Sequence, residues 1–293
     1  MISSAELSRA ACCNLGESFV TNPSVDVSYS DAATGAKQIK LLGLSGTYVQ
    51  MLTENIPNYR GAAAPYGLGY VPGPWMQSIQ VSKGTSSVKN GYEAITGQIN
   101  VEFKKPQLPE ADWVSANLFA STTNRYEANA DATLKLSKRW STSLLAHYEN
   151  ETKAHDGNDD GFVDIPQVEQ YNVWNRWAYM GDHYVFQAGI KALSETRTSG
   201  QANHGGTMHS GDLYKVGIDT ERDEFFTKNA YIFNKEKNTN LALILSTTLH
   251  NQDATYGRKL YNVDQTNVYA SLMFETEFNP QNSFSAGLSF NYD

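Results

Sequence analysis

The chain has 293 residues, 23 basic against 31 acidic, and a net charge of −8. Hydrophobic residues make up 40% and charged residues only 18%, so the charges that usually cover a soluble surface are scarce. In their place stand 17 Tyr, 12 Phe, 5 Trp and 22 Gly, a balance that favours strands and turns over helices. There is no basic stripe, which leaves nucleic-acid binding without support. No apolar run approaches the roughly 20 residues of a transmembrane helix. That excludes helical spans but not barrel strands, whose alternation averages out to a polar score.

In chain order, Ser3 followed by Glu6 is a capping-box pattern. Leu7, Ala10, Ala11 and Leu15 then recur at helical spacing, and Asn22-Pro23 is the expected stop. The neighbouring Cys12 and Cys13 can pair only through a strained ring, so both are expected to be buried thiols. Strand-like runs follow at Val25 to Tyr29, Lys37 to Leu42, Thr47 to Thr53, Ile79 to Lys83 and Gln98 to Phe103. Between the third and fourth lies Ile56 to Trp75, rich in Gly, Pro, Ala and Tyr and too long for a simple connector, which points to a functional loop. Residues 1–105 are predicted to form a small α+β domain.

After Pro106 the punctuation changes to long two-residue alternation. From Tyr126 to Leu136 the even positions are Tyr, Ala, Ala, Ala, Leu and Leu, set against Glu127, Asn129, Asp131, Thr133 and Lys135. Phe284, Ala286, Leu288, Phe290 and Tyr292 repeat the pattern near the end. Such a period puts one chemistry on each face of a sheet, and residues 106–293 are predicted to hold nine strands. The turns Ser137 to Ser141, Gly181-Asp182, Lys235 to Asn240 and Asn279 to Asn282 are short, while the opposite ends carry His155 to Gln170 and Ser194 to Asp212. Short turns at one end and long loops at the other describe a transmembrane barrel. Trp113, Tyr126, Trp140, Tyr148, Tyr184 and Tyr292 are candidate girdle residues. A soluble β-sandwich also alternates, but its strands are commonly five or six residues long, and several here exceed ten. The polar faces are expected to be poor in charge.

The stretch from Lys37 to Pro106 resembles the plug domain of TonB-dependent outer-membrane receptors, most closely a Bacteroidetes-type group related to cobalamin and metal-chelate receptors. The residues that carry the resemblance are the strand Ile79 to Val81, Lys83-Gly84, the turn Gly91-Tyr92, Gly97, and the final strand Gln98 to Phe103. It implies a mainly β fold: a small α+β plug over 1–105, then the first nine or so strands of an antiparallel transmembrane β-barrel over 106–293. The implied function is active import of a scarce nutrient (a metal chelate, siderophore or cobalamin-like compound) across the bacterial outer membrane, without covalent chemistry or a required cofactor. The implied partners are TonB of the inner-membrane energising complex, outer-membrane lipids and the imported small molecule. Tyr59, Arg60, Tyr66 and Tyr70 fall at the plug apex, where they meet incoming substrate or pack the apex against the barrel. A TonB box and a first plug strand are expected before Met1, and further barrel strands after Asp293, toward the family's roughly 22. The chain is read as a fragment. A glycan importer with a lipoprotein lid is the related alternative, but that group carries Asp-Gly where this chain has Thr53-Glu54-Asn55-Ile56-Pro57.

Two other constellations are on the page. Asp156, Asn158, Asp160 and Gly161, followed by Asp164, resemble the start of a calcium loop spanning 156–167; Gln167 stands where the bidentate Glu belongs. A soluble or cell-surface β-rich protein that binds ligand through a calcium-stapled loop is therefore the reading from a different class. His204, Met208 and His209 offer imidazole and thioether donors in a long loop. No GxSxG, HExxH or Walker-type spacing occurs, so an enzyme is not expected.

Overall fold

The computed structural model describes the chain except residues 1, 4, 5, 8–12, 20–24, 45, 86–88, 90, 92, 109, 110 and 203–212. The first part contains β1 (Ile2–Ser3), β2 (Asp26–Asp31), β3 (Ala36–Lys40), β4 (Val49–Thr53), β5 (Ile56–Pro57), β6 (Met76–Lys83) and β7 (Gly97–Phe103). Five of these form a mixed sheet in the order β1-β6-β7-β4-β5, with β4 and β7 parallel and the other pairs antiparallel. β2 and β3 make a separate hairpin. The predicted strands are present, each shifted by one to three residues.

β7 holds the sheet together because it is paired on both sides and is apolar at Ile99, Val101 and Phe103, all buried. Gly97 begins it at φ +151, and a Cβ there would run into the carbonyl oxygen of Ser82 on β6. Gly91, at φ +116, is equally constrained: its Cβ would lie 2.6 Å from the Gln50 amide nitrogen. Lys83 pairs with Gly97, and Gly84 donates its N–H to the carbonyl of Thr96 at 2.8 Å. Tyr92 lies outside the described residues.

At the N-terminus, the backbone N–H and hydroxyl of Ser3 both donate to the Glu6 carboxylate at 2.8 Å. The predicted helix does not run on to Asn22. Asn14 accepts the backbone N–H of Glu17 at 3.1 Å and starts a new 3-10 turn, Glu17–Phe19, so Leu15 is buried in a turn. Cys13 is a buried thiol whose pKa is pushed up by burial and then by the carboxylate of Glu127. Cys12 is outside the described residues. The Ile56 to Trp75 segment is folded through two short 3-10 turns, Gly61–Ala63 and Gly73–Trp75.

Nine strands follow: β8 (Val114–Ala120), β9 (Tyr126–Lys135), β10 (Trp140–Glu151), β11 (Gln167–Met180), β12 (Tyr184–Gly200), β13 (Lys215–Asn234), β14 (Thr239–Tyr256), β15 (Lys259–Asn279) and β16 (Asn282–Tyr292). They form one sheet in sequence order, every neighbour antiparallel. Its polarity is inverted relative to a soluble sheet. On β9 the buried side chains are Glu127, Asn129, Asp131 and Thr133, while Tyr126 and Leu134 are about half exposed. On β11 Gln170, Asn172 and Arg176 are buried, while Tyr171, Val173 and Trp177 are exposed. A water-facing sheet buries its apolar side; a barrel wall in lipid does the reverse. The soluble β-sandwich reading is not the arrangement found.

Two expectations are corrected. The inner face is not poor in charge: Glu127, His147, Glu149, Arg176, Lys191, Glu195, Arg197 and Arg222 are all buried there. They look inconspicuous in sequence because each is separated from the next by an outward-facing residue. Ser194 to Gly200 is strand and not loop. β12 to β15 are 17 to 21 residues long, about twice the 9–11 that a bilayer requires. Beyond the lipid belt the outward positions turn polar, as at Ser194, Thr196 and Thr198, and the apolar alternation that marks a strand disappears.

The outward aromatic rings gather near both rims of the apolar band. Trp140 and Tyr179 lie 5.1 Å apart at the short-turn end, and Tyr148 and Tyr171 lie 4.9 Å apart toward the other. Because Leu144 is outward-facing and half exposed in mid-strand, Leu144→Arg is expected to destabilise the fold in bilayers by about 2–4 kcal/mol. Urea unfolding in lipid vesicles measures this; a change within error would contradict a lipid-facing position.

Candidate functional site: the plug apex against the barrel wall

The β4–β5 hairpin turns through two residues, Glu54 and Asn55, at φ 51 and φ 65. This is the primed turn that a two-residue hairpin needs. Asn tolerates the left-handed region, whereas a Glu there costs of order 1–3 kcal/mol. The contact made by its side chain offsets that cost. The Glu54 carboxylate accepts two hydrogen bonds from Nη2 of Arg176 on β11, at 2.7 and 2.9 Å. Arg176 also donates to the carbonyl of Lys104 at 2.7 Å and lies 4.4 Å from the Trp174 ring centroid. Lys228 of β13 donates to the Glu54 carbonyl at 2.6 Å. Both ends of the ion pair are almost wholly buried. Burial on its own would raise the Glu54 carboxyl, but Arg176 and then Lys228 outweigh it and hold it below the usual carboxylate value.

Four residues further on, the apex makes a second polar contact with the wall. Asn58 donates to Glu224 at 2.8 Å, and Glu224 is paired with Lys191 at 3.2 Å and Arg222 at 3.0 Å. Lys191 reaches the Tyr59 hydroxyl at 3.3 Å and the Tyr70 carbonyl at 3.4 Å. The guanidinium of Arg222 lies 5.4 Å from the Tyr59 ring centroid, and that of Arg197 lies 5.1 Å from Tyr66. Tyr70 is fully buried, 6.3 Å from the ring of His250. Burial drives the phenols of Tyr59 and Tyr70 up, so both stay neutral. Tyr59, Tyr66 and Tyr70 are thus brought together under the wall, while Arg60 turns to Glu93 and Asp293, at 2.5 and 2.7 Å.

Toward the long-loop end a cavity of ≈ 330 Å³ opens between plug and wall. The plug side is lined by Glu17, Tyr29, Lys37 and Tyr66; the wall side by Phe119, Arg125, Glu149, Gln170, Glu195 and Arg197. Arg125 is locked by three carboxylates, Glu17 at 2.7 Å, Glu127 at 2.7 Å and Glu149 at 3.0 Å. Arg197 is held by Glu195 at 2.9 Å and by the carbonyl of Thr34 at 3.2 Å. This is a charged, half-open hollow with aromatic sides.

The 156–164 loop folds on itself. Asp156 accepts the N–H of Gly161 at 2.9 Å, Asp160 that of Phe162 at 2.8 Å, and Asp164 that of Gly157 at 2.6 Å, while the Asn158 amide donates to Asp160 at 3.0 Å. These carboxylates serve backbone amides, and among the described residues no group of three or more His, Cys, Asp or Glu is set to hold a metal ion. His204, Met208 and His209 are outside the described residues. The anchors Glu54, Arg176, Lys191, Arg222, Glu224 and Lys228 escaped the sequence reading. The available signal was a Glu in a position that a two-residue turn normally gives to Gly or Asn, together with alternate charges along β13.

Arg176→Met would leave a buried carboxylate without its partner and is expected to cost about 3–5 kcal/mol; adding Glu54→Gln should recover much of that. Since the Glu54 pKa is lowered on folding, the pair's contribution is full above the ordinary carboxylate range and lost as pH falls through the lowered value. Urea unfolding at neutral and acid pH should therefore converge for wild type and Glu54→Gln as the medium is acidified. Parallel pH profiles would contradict this.

Residues 1–98 match the family model of the TonB-dependent receptor plug domain. No curated protein matches the sequence. Among solved structures, the chain is similar to the FrpB iron transporter from Neisseria meningitidis, at 13% identity and TM-score 0.72, over 96% of this chain and 46% of that one. It is similar to the siderophore receptor PiuA from Acinetobacter baumannii at 12% identity and TM-score 0.68, over 99% and 44%. It is also similar to the ferric-catecholate import receptor Fiu from E. coli K12 at 16% identity and TM-score 0.67, over 99% and 48%. The chain spans less than half the length of each. Residues 1–98 thus match the TonB-dependent receptor plug, and the nine wall strands of inverted polarity, with the plug seated on their polar side, share the fold of the receptors above.

Proposed function

We propose that this chain forms the plug and part of the barrel wall of a receptor that imports a scarce metal chelate, siderophore or cobalamin-like compound across the outer membrane, with TonB supplying the pull. The observation that carries this reading is the plug's attachment through polar contacts, centred on Glu54–Arg176 and Asn58–Glu224. A seal made of ion pairs and hydrogen bonds can re-form after mechanical displacement, since its wall partners stay solvated as the plug leaves. The similar structures named above are iron and siderophore receptors by their own descriptions, which supports a metal-chelate cargo and offers nothing toward a glycan. The work is transport, with no bond made or broken in the cargo.

For the apex residues we propose two roles. Tyr66 lines the outward hollow beside Tyr29 and Lys37 and contacts cargo there. Tyr59 and Tyr70, buried against Lys191 and His250, hold the apex to the wall; Arg60 is tied to Glu93.

In a strain lacking the gene, complementation with the complete reading frame should restore uptake of the radiolabelled chelate only when TonB is present. An Asn58→Cys/Glu224→Cys pair, placed where the two side chains now touch, should block uptake when oxidised and release it on reduction. Tyr66→Ala is expected to raise the apparent KM for the chelate with little change in maximal rate. Uptake that persists without TonB, or that ignores the cross-link, would exclude the proposal.

A further inference from the structure

Three short turns meet at one end of the wall. They are Ser137–Arg139 between β9 and β10, 181–183 between β11 and β12, and 235–238 between β13 and β14. Asp182 of the middle turn accepts Arg139 at 2.9 Å and lies 3.8 Å from the Lys235 ammonium, so two cations far apart in sequence share one carboxylate. Lys138 and Lys237 stand on the same turns, both exposed, with Glu236 beside them. Glu277 of β15 also accepts from Asn238 of the third turn at 2.7 Å, so four cations (Lys138, Arg139, Lys235 and Lys237) stand against three carboxylates, Asp182, Glu236 and Glu277, and the rim keeps a positive excess. Directly above it, on the outward face, are Trp140, Tyr179, Tyr184 and Tyr231, with Trp140–Tyr179 and Tyr179–Tyr184 centroids 5.1 and 6.1 Å apart. Rings at that depth with cations just beyond them are the chemistry that meets a phospholipid where its acyl chains end and its phosphate begins.

The other end of the same face has the opposite sign. On β13, β14 and β15 the outward positions above the apolar band are Asp219, Glu221, Asp223, Asp253 and Asp264, all exposed, and Asp219 stands directly across from Asp253. Like charges in that register repel, and they repel anionic headgroups too. The apolar band thus has one rim that attracts negative lipid and one that does not.

Resting on the membrane reading above, we propose that the Arg139–Asp182–Lys235 rim is a docking surface for anionic phospholipid, with phosphatidylglycerol of the periplasmic leaflet as its occupant. The lipid phosphate lies between Arg139 and Lys235, its chains run up along Trp140 and Tyr179, and Asp182 spaces the two cations. Sidedness follows: the short turns face the periplasm, where the chain enters the wall at Trp113.

The test is native mass spectrometry of the protein made from the complete reading frame, released from micelles that hold phosphatidylglycerol and phosphatidylcholine in equal amounts. Wild type is expected to retain phosphatidylglycerol preferentially. Arg139→Gln/Lys235→Gln should lower that preference on the order of five- to thirtyfold, taking roughly fivefold for each cation beside an anionic surface. Asp182→Asn should raise it, and Asp219→Asn/Asp253→Asn at the far rim should leave it unchanged. Equal retention of the two lipids by wild type, or an undiminished preference in the double variant, overturns the proposal. Because the Asp182 variant moves the readout upward, misfolding cannot imitate the expected pattern. A chain that enters micelles folded but shows no preference defeats this inference alone; one that does not fold in micelles defeats the membrane reading beneath it.

Discussion

A sheet that turns its apolar side to lipid has only its polar side to offer the rest of the chain. This constraint governs the molecule. The inner faces of β9 to β15 carry Glu, Asp, His, Arg and Lys that no bilayer accepts and that a dry interior accepts only in pairs. The plug exists, structurally, as the partner of that face. It brings Glu54 to Arg176, Asn58 to Glu224 and Arg222, and Glu17 to Arg125, while other inner charges pair within the wall, as Glu195 does with Arg197 and Lys191 with Glu224.

The apolar core is consistent with this division. Trp75 and Phe103 of the plug meet Trp174 of the wall, with Phe103–Trp174 centroids 4.7 Å apart and nearly perpendicular, and Phe226 closes the group. These rings exclude water around Arg176, which strengthens its pairing with Glu54. An apolar patch and a charged clasp therefore occupy the same few square nanometres of interface. That combination makes the seat specific in register.

The unusual local geometry has its cause here. A two-residue hairpin wants residues that accept positive φ, and Asn55 is such a residue, but Glu54 is not. Only the carboxylate's reach into the wall accounts for a Glu at that place. In the 156–164 loop, Asp156, Asp160 and Asp164 accept backbone N–H groups of Gly161, Phe162 and Gly157.

What the sequence determined by itself was the class of architecture. Alternation after Pro106 set nine strands and two unlike faces, because a period of two can place residues only on opposite sides of a sheet. The Lys83-Gly84, Gly91 and Gly97 spacing carried the resemblance to a plug domain; the three glycines all stand at positive φ, and at Gly97 a Cβ would also run into the Ser82 carbonyl. The sequence did not contain, in any legible form, where the strands leave the membrane or which charges would pair. Ser194 to Gly200 reads as loop because its strand character comes from pairing with β11 and β13 and not from an apolar pattern. Glu54 and Arg176 are 122 positions apart, and no local rule connects them. Hydrophobic periodicity is a property of neighbours along the chain; the pairing of buried charges is settled only when the plug is laid against the wall, since each ion's partner is whatever the tertiary fold brings within reach before water is excluded.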